Sequence, residues 1–254
     1  MNLLSKMKYQ ENISNRLIVA ADFDPRKCGG RNGARREFMR LARNLEGTGV
    51  VIKGNSIFRS CGIELVEELN KLGLNAFVDW KLNDIPKTME MDAAMIADVD
   101  PYMLTVMASA GSEGCARVSN VLGKNRVFAV TVLTSLDEEE CQSVFTTSVR
   151  ASVLRLARNV NNTVGGLVLA PSENQIITSR SQFDFKLCNP NIRPAWVEVK
   201  DDDQNPNRAR SVPEAFQGGA DRIVVGRPIT QSDDPAGAVS KILAEIDQAL
   251  KEES

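Results

Sequence analysis

The sequence predicts an α/β fold, a (β/α)8 or TIM barrel, in a single domain spanning residues 1–254. Short runs rich in Val, Ile and Leu alternate with longer helical patterns along the whole chain. Several of these runs are almost wholly apolar, as expected of parallel strands covered on both faces. The length of 254 residues also suits a barrel, which occupies about 200–250 residues as one unit.

The elements can be assigned in order. The eight predicted strands are 17–22, 49–54, 75–80, 102–107, 126–133, 165–170, about 184–188 and 221–226. Apolar residues recur at helical spacing between them, as in Leu65, Val66, Leu69 and Leu72. A doubly wound open sheet is the alternative, but no strand-to-helix turn carries Gly-x-Gly-x-x-Gly. Segments 24–34 and 195–212 are predicted to be long loops.

Composition narrows the class of function. With 43% hydrophobic and 25% charged residues, the chain can bury a full core. A net charge of −2 argues against nucleic-acid or polybasic membrane binding.

We expect no signal peptide, because residues 1–10 lack an apolar run, and no membrane span. Five scattered cysteines are typical of reduced thiols in a cytoplasmic protein.

The chain contains no histidine. This excludes Ser-His-Asp and Cys-His catalysis and any histidine-ligated metal site. Proton transfer would therefore fall to Lys, Asp, Glu, Tyr or Cys.

Charged residues end three successive predicted strands. Asp22 ends the first and Lys53 the second, while Asp79 and Lys81 lie at the end of the third. Side chains at i and i+2 of a strand point the same way, so Asp79 and Lys81 are expected to share a face. Asp84 follows in the next loop. In barrels, active sites are built at this end of the strands.

Lys53, Asp79, Lys81 and Asp84 are predicted to form an alternating array of charges. Each opposite neighbour favours the charged form of a group, so both lysines stay protonated and both carboxylates ionised. Such an array suits a reaction in which charge develops on a substrate away from water.

The eighth predicted strand ends in Gly226-Arg227. Barrels commonly bind phosphate with the loops after strands seven and eight. Gly226 would let a backbone N–H approach a phosphate, and Arg227 would supply a planar, bidentate donor.

The ordered motifs resemble one family from about Leu17 to Pro235. They are Ala-Asp after strand one, Lys-Gly after strand two, Asp-x-Lys-x-x-Asp-Ile-Pro-x-Thr after strand three, Leu-Thr-Ser after strand five and Gly-Arg-Pro after strand eight. The third motif is highly specific, and together they resemble bacterial orotidine 5'-phosphate decarboxylase. The resemblance implies a carboxy-lyase that converts orotidine 5'-phosphate to UMP and CO2 in de novo pyrimidine synthesis, without metal or cofactor.

The resemblance also implies residue roles. Lys81 would protonate C6 of the pyrimidine, within a network of Lys53, Asp79, Lys81 and Asp84. The implied binding residues are Asp22 and Lys53 for the ribose, Thr134 (or Ser135) for the pyrimidine, and Arg193, Gln204, Gly226 and Arg227 for the phosphate. The family is dimeric, and Asp84, Ile85 and Thr88 would reach into the partner's site.

The chain departs from the family pattern in three places. Met107 stands where the family usually has histidine, which we expect to alter packing rather than activity. Cys188-Asn189-Pro190-Asn191-Ile192-Arg193 replaces Thr-Pro-Gly-Ile-Arg, and Asn191 can adopt the positive φ of the missing glycine. Gln204 lies in an unusually long loop.

Two alternatives remain open from the sequence. One is a magnesium-dependent sugar-phosphate decarboxylase or aldolase of the same superfamily, such as hexulose-phosphate synthase or ketogulonate-phosphate decarboxylase. Those enzymes share Asp-x-Lys-x-x-Asp, whereas Ile85-Pro86-x-Thr88 resembles the nucleotide branch. The other alternative is a barrel that binds a phosphate ligand without catalysis.

Overall fold

A computed structural model describes residues 13–197 and 209–252, and their strands close into the predicted barrel. Every strand pairs in parallel with the next, and β8 pairs with β1. The strands are β1 (Leu17–Ala20), β2 (Val51–Gly54), β3 (Asn75–Leu82), β4 (Met103–Met107), β5 (Val127–Val130), β6 (Gly166–Val168), β7 (Lys186–Asn189) and β8 (Arg222–Val225). The (β/α)8 prediction is confirmed, and each strand overlaps its predicted range.

Helices cover the outside of the barrel. They are α1 (Arg31–Asn44), α2 (Ser56–Cys61), α3 (Leu65–Lys71), α4 (Pro86–Ala97), α5 (Ser112–Leu122), α6 (Glu138–Phe145), α7 (Val149–Asn159), α8 (Asn174–Thr178), α9 (Val212–Gln217), α10 (Arg227–Thr230) and α11 (Pro235–Glu252), with 3-10 turns at Ala108–Ala110, Lys124–Arg126 and Pro171–Glu173. Across residues 13–197 and 209–252, no helix is long and apolar enough to cross a membrane.

The helix boundaries follow local chemistry. α4 begins at Pro86, which suits the first turn because proline lacks the N–H that would be unpaired there. α6 begins with a capping box in which Asp137 accepts from the Glu140 N–H. The prediction of a loop over the whole of 24–34 was wrong at its end: α1 starts at Arg31, so only 24–30 form the loop.

The barrel interior is an apolar layer beneath the strand ends. Ile18, Val51, Phe77, Met103, Phe128, Cys188 and Val224 form this cluster. At its amino-terminal end, the Arg222 guanidinium lies 5.7 Å from the Tyr102 ring and 5.6 Å from the Phe128 ring, and donates to the Tyr102 hydroxyl at 3.1 Å. The layer therefore forms a packed floor under the opposite, carboxyl-terminal end.

Gly166 marks the closest packing between a strand and this floor. A Cβ at Gly166 would lie 2.2 Å from Cε1 of Phe128 and 2.5 Å from the Lys186 carbonyl oxygen. We expect Gly166→Ala to lower the free energy of unfolding by about 1–3 kcal/mol, because the backbone must shift to admit the methyl group. Gly226→Ala is the matched control, since its Cβ would meet only Ala20, at 3.5 Å or more. Urea unfolding followed by circular dichroism measures both; equal midpoints would contradict the packing.

Candidate active site

A cavity of about 800 Å³ opens at the carboxyl ends of the strands. Residues from every strand or its following loop, except β4, line it. Its volume lies in the range of small-molecule sites, about 300–1,000 Å³. Asp22, Lys53, Asp79, Lys81, Thr134, Arg193, Gly226 and Arg227 all line this cavity, so most of the site residues predicted from the sequence meet in one place.

A chain of ion pairs runs across one side of the cavity. The Lys53 Nζ lies 2.7 Å from Oδ2 of Asp22 and 3.2 Å from Oδ2 of Asp79. The Lys81 Nζ lies 2.8 Å from the same Asp79 oxygen. Lys53 and Asp79 are each only 8% exposed, whereas the Lys81 side chain keeps 29% of its surface accessible. Lys81 is therefore the more accessible of the two lysines that line the cavity.

The two buried members of the chain hold each other in the charged form. Burial raises the pKa of Asp79, but the positive charges of Lys53 and Lys81 outweigh it and leave that pKa below its ordinary value. Burial lowers the pKa of Lys53, but the charges of Asp79 and Asp22 more than reverse this and raise it. Both groups are therefore ionised near neutral pH, as the alternation of charge predicted.

Asp79 and Lys81 come together through an irregular strand. β3 pairs Val78 with Leu104 and next pairs Leu82 with Val106. Three residues of β3, from 79 to 81, thus stand opposite one residue of β4, and Lys81 has a φ of 52°. The predicted contact is present, but a left-handed backbone at Lys81 produces it rather than regular alternation. Backbone of this kind is sparsely populated and concentrates at functional sites.

Thr105 is a neighbour of the ion pairs that sequence reasoning missed. It is fully buried in β4, its hydroxyl donates to Oδ1 of Asp79 at 2.9 Å, and the Lys81 N–H donates to that hydroxyl at 2.9 Å. The available signal was a single hydroxyl inside the apolar run Met103–Met107.

Asp84 does not join the array within one protomer. It is exposed, it does not line the cavity, and its Oδ1 accepts from the Ile85 N–H at 2.7 Å. Ile85 and Thr88 also lie outside the cavity. The charges that meet within a single chain are therefore Asp22, Lys53, Asp79 and Lys81.

The loops after β7 and β8 form another part of the cavity rim. Gly226 and Arg227 follow β8, and Arg193 follows β7. Asn191 has a φ of 64°, so the turn expected in place of glycine does form. The Arg193 N–H donates to the Arg210 carbonyl at 2.9 Å, which ties the two described ends of the long loop together. The predicted residue Gln204 lies outside the described residues.

Trp196 anchors the segment that follows Arg193. Its indole N–H donates to Oε1 of Glu245 at 2.6 Å, and the Lys241 Nζ lies 5.3 Å from its ring. Both partners belong to α11, so this side chain fastens one end of the loop to the outer helix layer. No feature of the sequence indicated this contact.

The loop after β1 contributes Asp24 and Arg26 to the rim. The Arg26 side chain donates to both carboxylate oxygens of Asp24 at 2.8–3.2 Å. Hydrogen bonds from Arg26, first from its side chain and then from its backbone, lower the pKa of Asp24 to about 2. The sequence left the role of this loop open. In the structure, Asp24 and Arg26 form an ion pair with each other beside the cavity.

Two residues that depart from the family pattern, Met107 and Cys188, do not line the cavity. The Met107 carbonyl accepts from Cys115 Sγ at 3.7 Å. Cys188 is fully buried in the barrel floor, and burial raises the pKa of its thiol to about 12. Ser135 lines the cavity next to Thr134, so both hydroxyl-bearing residues border the same space.

A closed (β/α)8 barrel with a charged cavity at the carboxyl ends of its strands is an architecture that builds enzyme active sites at that end. The chain belongs to the orotidine 5'-phosphate decarboxylase / HUMPS family, whose family model matches residues 15–242. The family resemblance found in the sequence is confirmed.

Curated relatives match most of the chain. An orotidine 5'-phosphate decarboxylase of Syntrophomonas wolfei is 34% identical over 92% of this chain and 98% of its own length. One of Streptococcus sanguinis is 38% identical over 74% of this chain and 82% of its own. The crystal structure of the Lactobacillus acidophilus enzyme of that name superimposes with a TM-score of 0.74 at 26% identity, covering 92% of this chain and 99% of that one.

Proposed function

We propose that this protein decarboxylates orotidine 5'-phosphate to UMP and CO2 in de novo pyrimidine synthesis, without a metal or organic cofactor. The observation that carries the proposal is the chain of ion pairs Lys53–Asp79–Lys81 at the wall of the cavity. Family membership and relatives of that name support the substrate.

Lys81 is the proton donor. When the bond between C6 and the carboxylate carbon breaks, CO2 leaves and the electron pair remains on C6. An ammonium group already in place stabilises that negative charge without reorganisation. Lys81 then gives a proton to C6 and regains one from solvent, which is consistent with its partial exposure.

Asp79 and Lys53 hold the donor in place. Asp79 fixes the Lys81 ammonium at 2.8 Å, and Lys53 bridges Asp79 to Asp22. Asp22 and Lys53 would also contact the ribose hydroxyls, because both line the cavity on the side of β1 and β2. A constellation held by its own ion pairs needs little rearrangement when the substrate binds.

The phosphate would bind at the rim formed by the loops after β7 and β8. Arg193, Gly226 and Arg227 line the cavity there, and guanidinium groups match phosphate oxygens with paired hydrogen bonds. Thr134 lies after β5, where it can contact the pyrimidine. Gln204 remains a candidate for the same phosphate. Binding energy from the remote phosphate can then be used to organise the reacting end.

The active unit would be a homodimer. Ile85, Met91 and Met95 are large apolar side chains at or near α4 with exposures of 66%, 48% and 73%. Large apolar side chains exposed on one short segment are a reason to propose an interface there. A partner packed on α4 would exchange Asp84, Ile85 and Thr88 with this chain's site, and Asp84 would then complete the charge array around Lys81.

We place the reaction in the cytoplasm. All five cysteines lie in the described residues and are free thiols, which suits a reducing compartment.

The activity is tested by mixing the protein with orotidine 5'-phosphate in the presence of a chelator and following the loss of substrate absorbance. Turnover that persists with chelator supports the proposal. Turnover that requires added magnesium would favour the sugar-phosphate branch of the superfamily instead.

Lys81→Ala tests the proton donor. We expect kcat to fall by about 10³-fold or more, because both the proton and the stabilising charge are lost, while UMP binding measured by calorimetry stays largely unchanged. A variant that retained most of its turnover would rule out this role for Lys81.

Arg227→Ala tests the phosphate rim. We expect KM to rise about 10- to 100-fold, the value of one or two charge-assisted hydrogen bonds, with a smaller change in kcat. Arg36→Ala is the matched control, because Arg36 is exposed on α1 and does not line the cavity. An unchanged KM for the Arg227 variant would remove the assignment.

Subunit mixing tests the shared site. Lys81→Ala and Asp84→Asn homodimers should each be nearly inactive. Their random hybrids should regain about a quarter of wild-type activity, since half the dimers would be mixed and each would hold one intact site. Failure of the mixture to recover activity, with subunit exchange shown by native mass spectrometry, would place Asp84 in its own chain's site.

A further inference from the structure

The bulge of β3 leaves a backbone group that the barrel ladder cannot pair. Between the pairs Val78–Leu104 and Leu82–Val106, β3 has residues 79 to 81 and β4 has only Thr105. The extra residues of a bulge are displaced from the ladder. The Lys81 N–H is donated to the Thr105 hydroxyl instead, so a side chain replaces the missing strand partner.

The direction of both Thr105 hydrogen bonds is fixed by chemistry. A backbone N–H can only donate, so the hydroxyl accepts from Lys81. An ionised carboxylate can only accept, so the hydroxyl proton is directed to Oδ1 of Asp79. The second oxygen of Asp79 is occupied by the two lysines. One hydroxyl thus fixes the backbone of the proposed proton donor and the carboxylate that holds its ammonium.

The position is closed to water and to alternative partners. Thr105 is fully buried and does not line the cavity, so it lies behind the ion pairs rather than beside the ligand. On the outer side of the same bulge, the Arg59 guanidinium donates to the Trp80 carbonyl and lies 5.8 Å from the Trp80 ring. The bulge is therefore held from both faces.

We propose that Thr105 is a positioning residue for the reaction. Its hydroxyl accepts a hydrogen bond from the Lys81 N–H and donates one to the Asp79 carboxylate, and these two bonds set the position of the Lys81 ammonium. Thr105 touches neither substrate nor reacting atoms. The proposal rests on the proposed function, because the placement matters for protonation at C6. Small errors in the position of a reacting group are costly: a displacement of about 1 Å can reduce a rate about 100-fold.

The test compares three replacements of Thr105 with one matched control. Thr105→Val keeps the shape and removes the hydroxyl, Thr105→Cys leaves only a weak donor, and Thr105→Ser keeps the hydroxyl. Thr131→Val makes the same change one strand away, at a threonine that is also fully buried and whose hydroxyl donates to the Val168 carbonyl at 3.3 Å.

We expect kcat of Thr105→Val to fall about 10- to 100-fold, with KM and UMP affinity nearly unchanged. Thr105→Ser should recover most of kcat, Thr105→Cys should fall between the two, and Thr131→Val should keep wild-type kcat. If the valine variant does not fold by circular dichroism, the serine and cysteine variants alone decide, since they differ chiefly in the strength of the donor.

Any of three kinetic results would overturn the proposal: an undiminished kcat in the valine or cysteine variant, a serine variant as slow as the valine variant, or an equal loss of kcat in Thr131→Val. A parallel loss of UMP affinity would also overturn it, because that indicates general disruption of the site. An inactive wild-type protein would instead refute the proposed function itself, so the two failures are distinguishable.

Discussion

The carboxylate of Asp79 is the group on which the site depends. It is nearly buried at the end of a barrel strand, where an isolated negative charge would be strongly disfavoured. Two ammonium groups and one hydroxyl compensate it, at 2.8–3.2 Å. Lys53 lies on β2 and Thr105 on β4. The bulge of β3 supplies the remaining partner, because it places Lys81 beside Asp79.

The buried ion pairs are better understood as preorganisation than as a source of stability. Desolvating two charges costs several kcal/mol, and their attraction often only offsets that cost. The stability of the barrel comes instead from apolar packing, in the floor cluster that includes Ile18 and Val224 and in the layer between strands and helices. Chemistry and stability therefore occupy opposite ends of the same strands, as is general for this architecture.

Within the single chain, Asp84 stands apart from the other charges. The Lys81 ammonium contacts Asp79, while Asp84 points its carboxylate to the adjacent Ile85 N–H. Exposed Ile85 and Met95 lie in the same region of the molecule as Asp84. If a partner chain covered these apolar side chains and supplied its Asp84 to the site, dimer formation and activity would be coupled. A separated protomer would then have neither the interface nor an Asp84 beside Lys81.

The sequence alone determined the features that depend on local pattern. Apolar runs separated by helical periodicity gave eight strands, because burial on both faces of a parallel strand leaves a continuous apolar run. The charges at strand ends, the Gly226-Arg227 turn and the positive φ of Asn191 were also predictable from residue type and position. These features need no knowledge of which residues meet across the barrel.

Only the tertiary structure decided the contacts between elements. Thr105 meets Asp79 across 26 positions of sequence, and Trp196 meets Glu245 across 49. Lys81 comes beside Asp79 through a bulge, in which three residues of β3 stand opposite one residue of β4. The residue pattern of either strand alone does not predict this difference. Asp84 lies apart from the ion pairs, exposed in the short segment between β3 and α4. The motif from Asp79 to Thr88 thus specified which groups are present, and the register of β3 against β4 decided which of them share one chain's site.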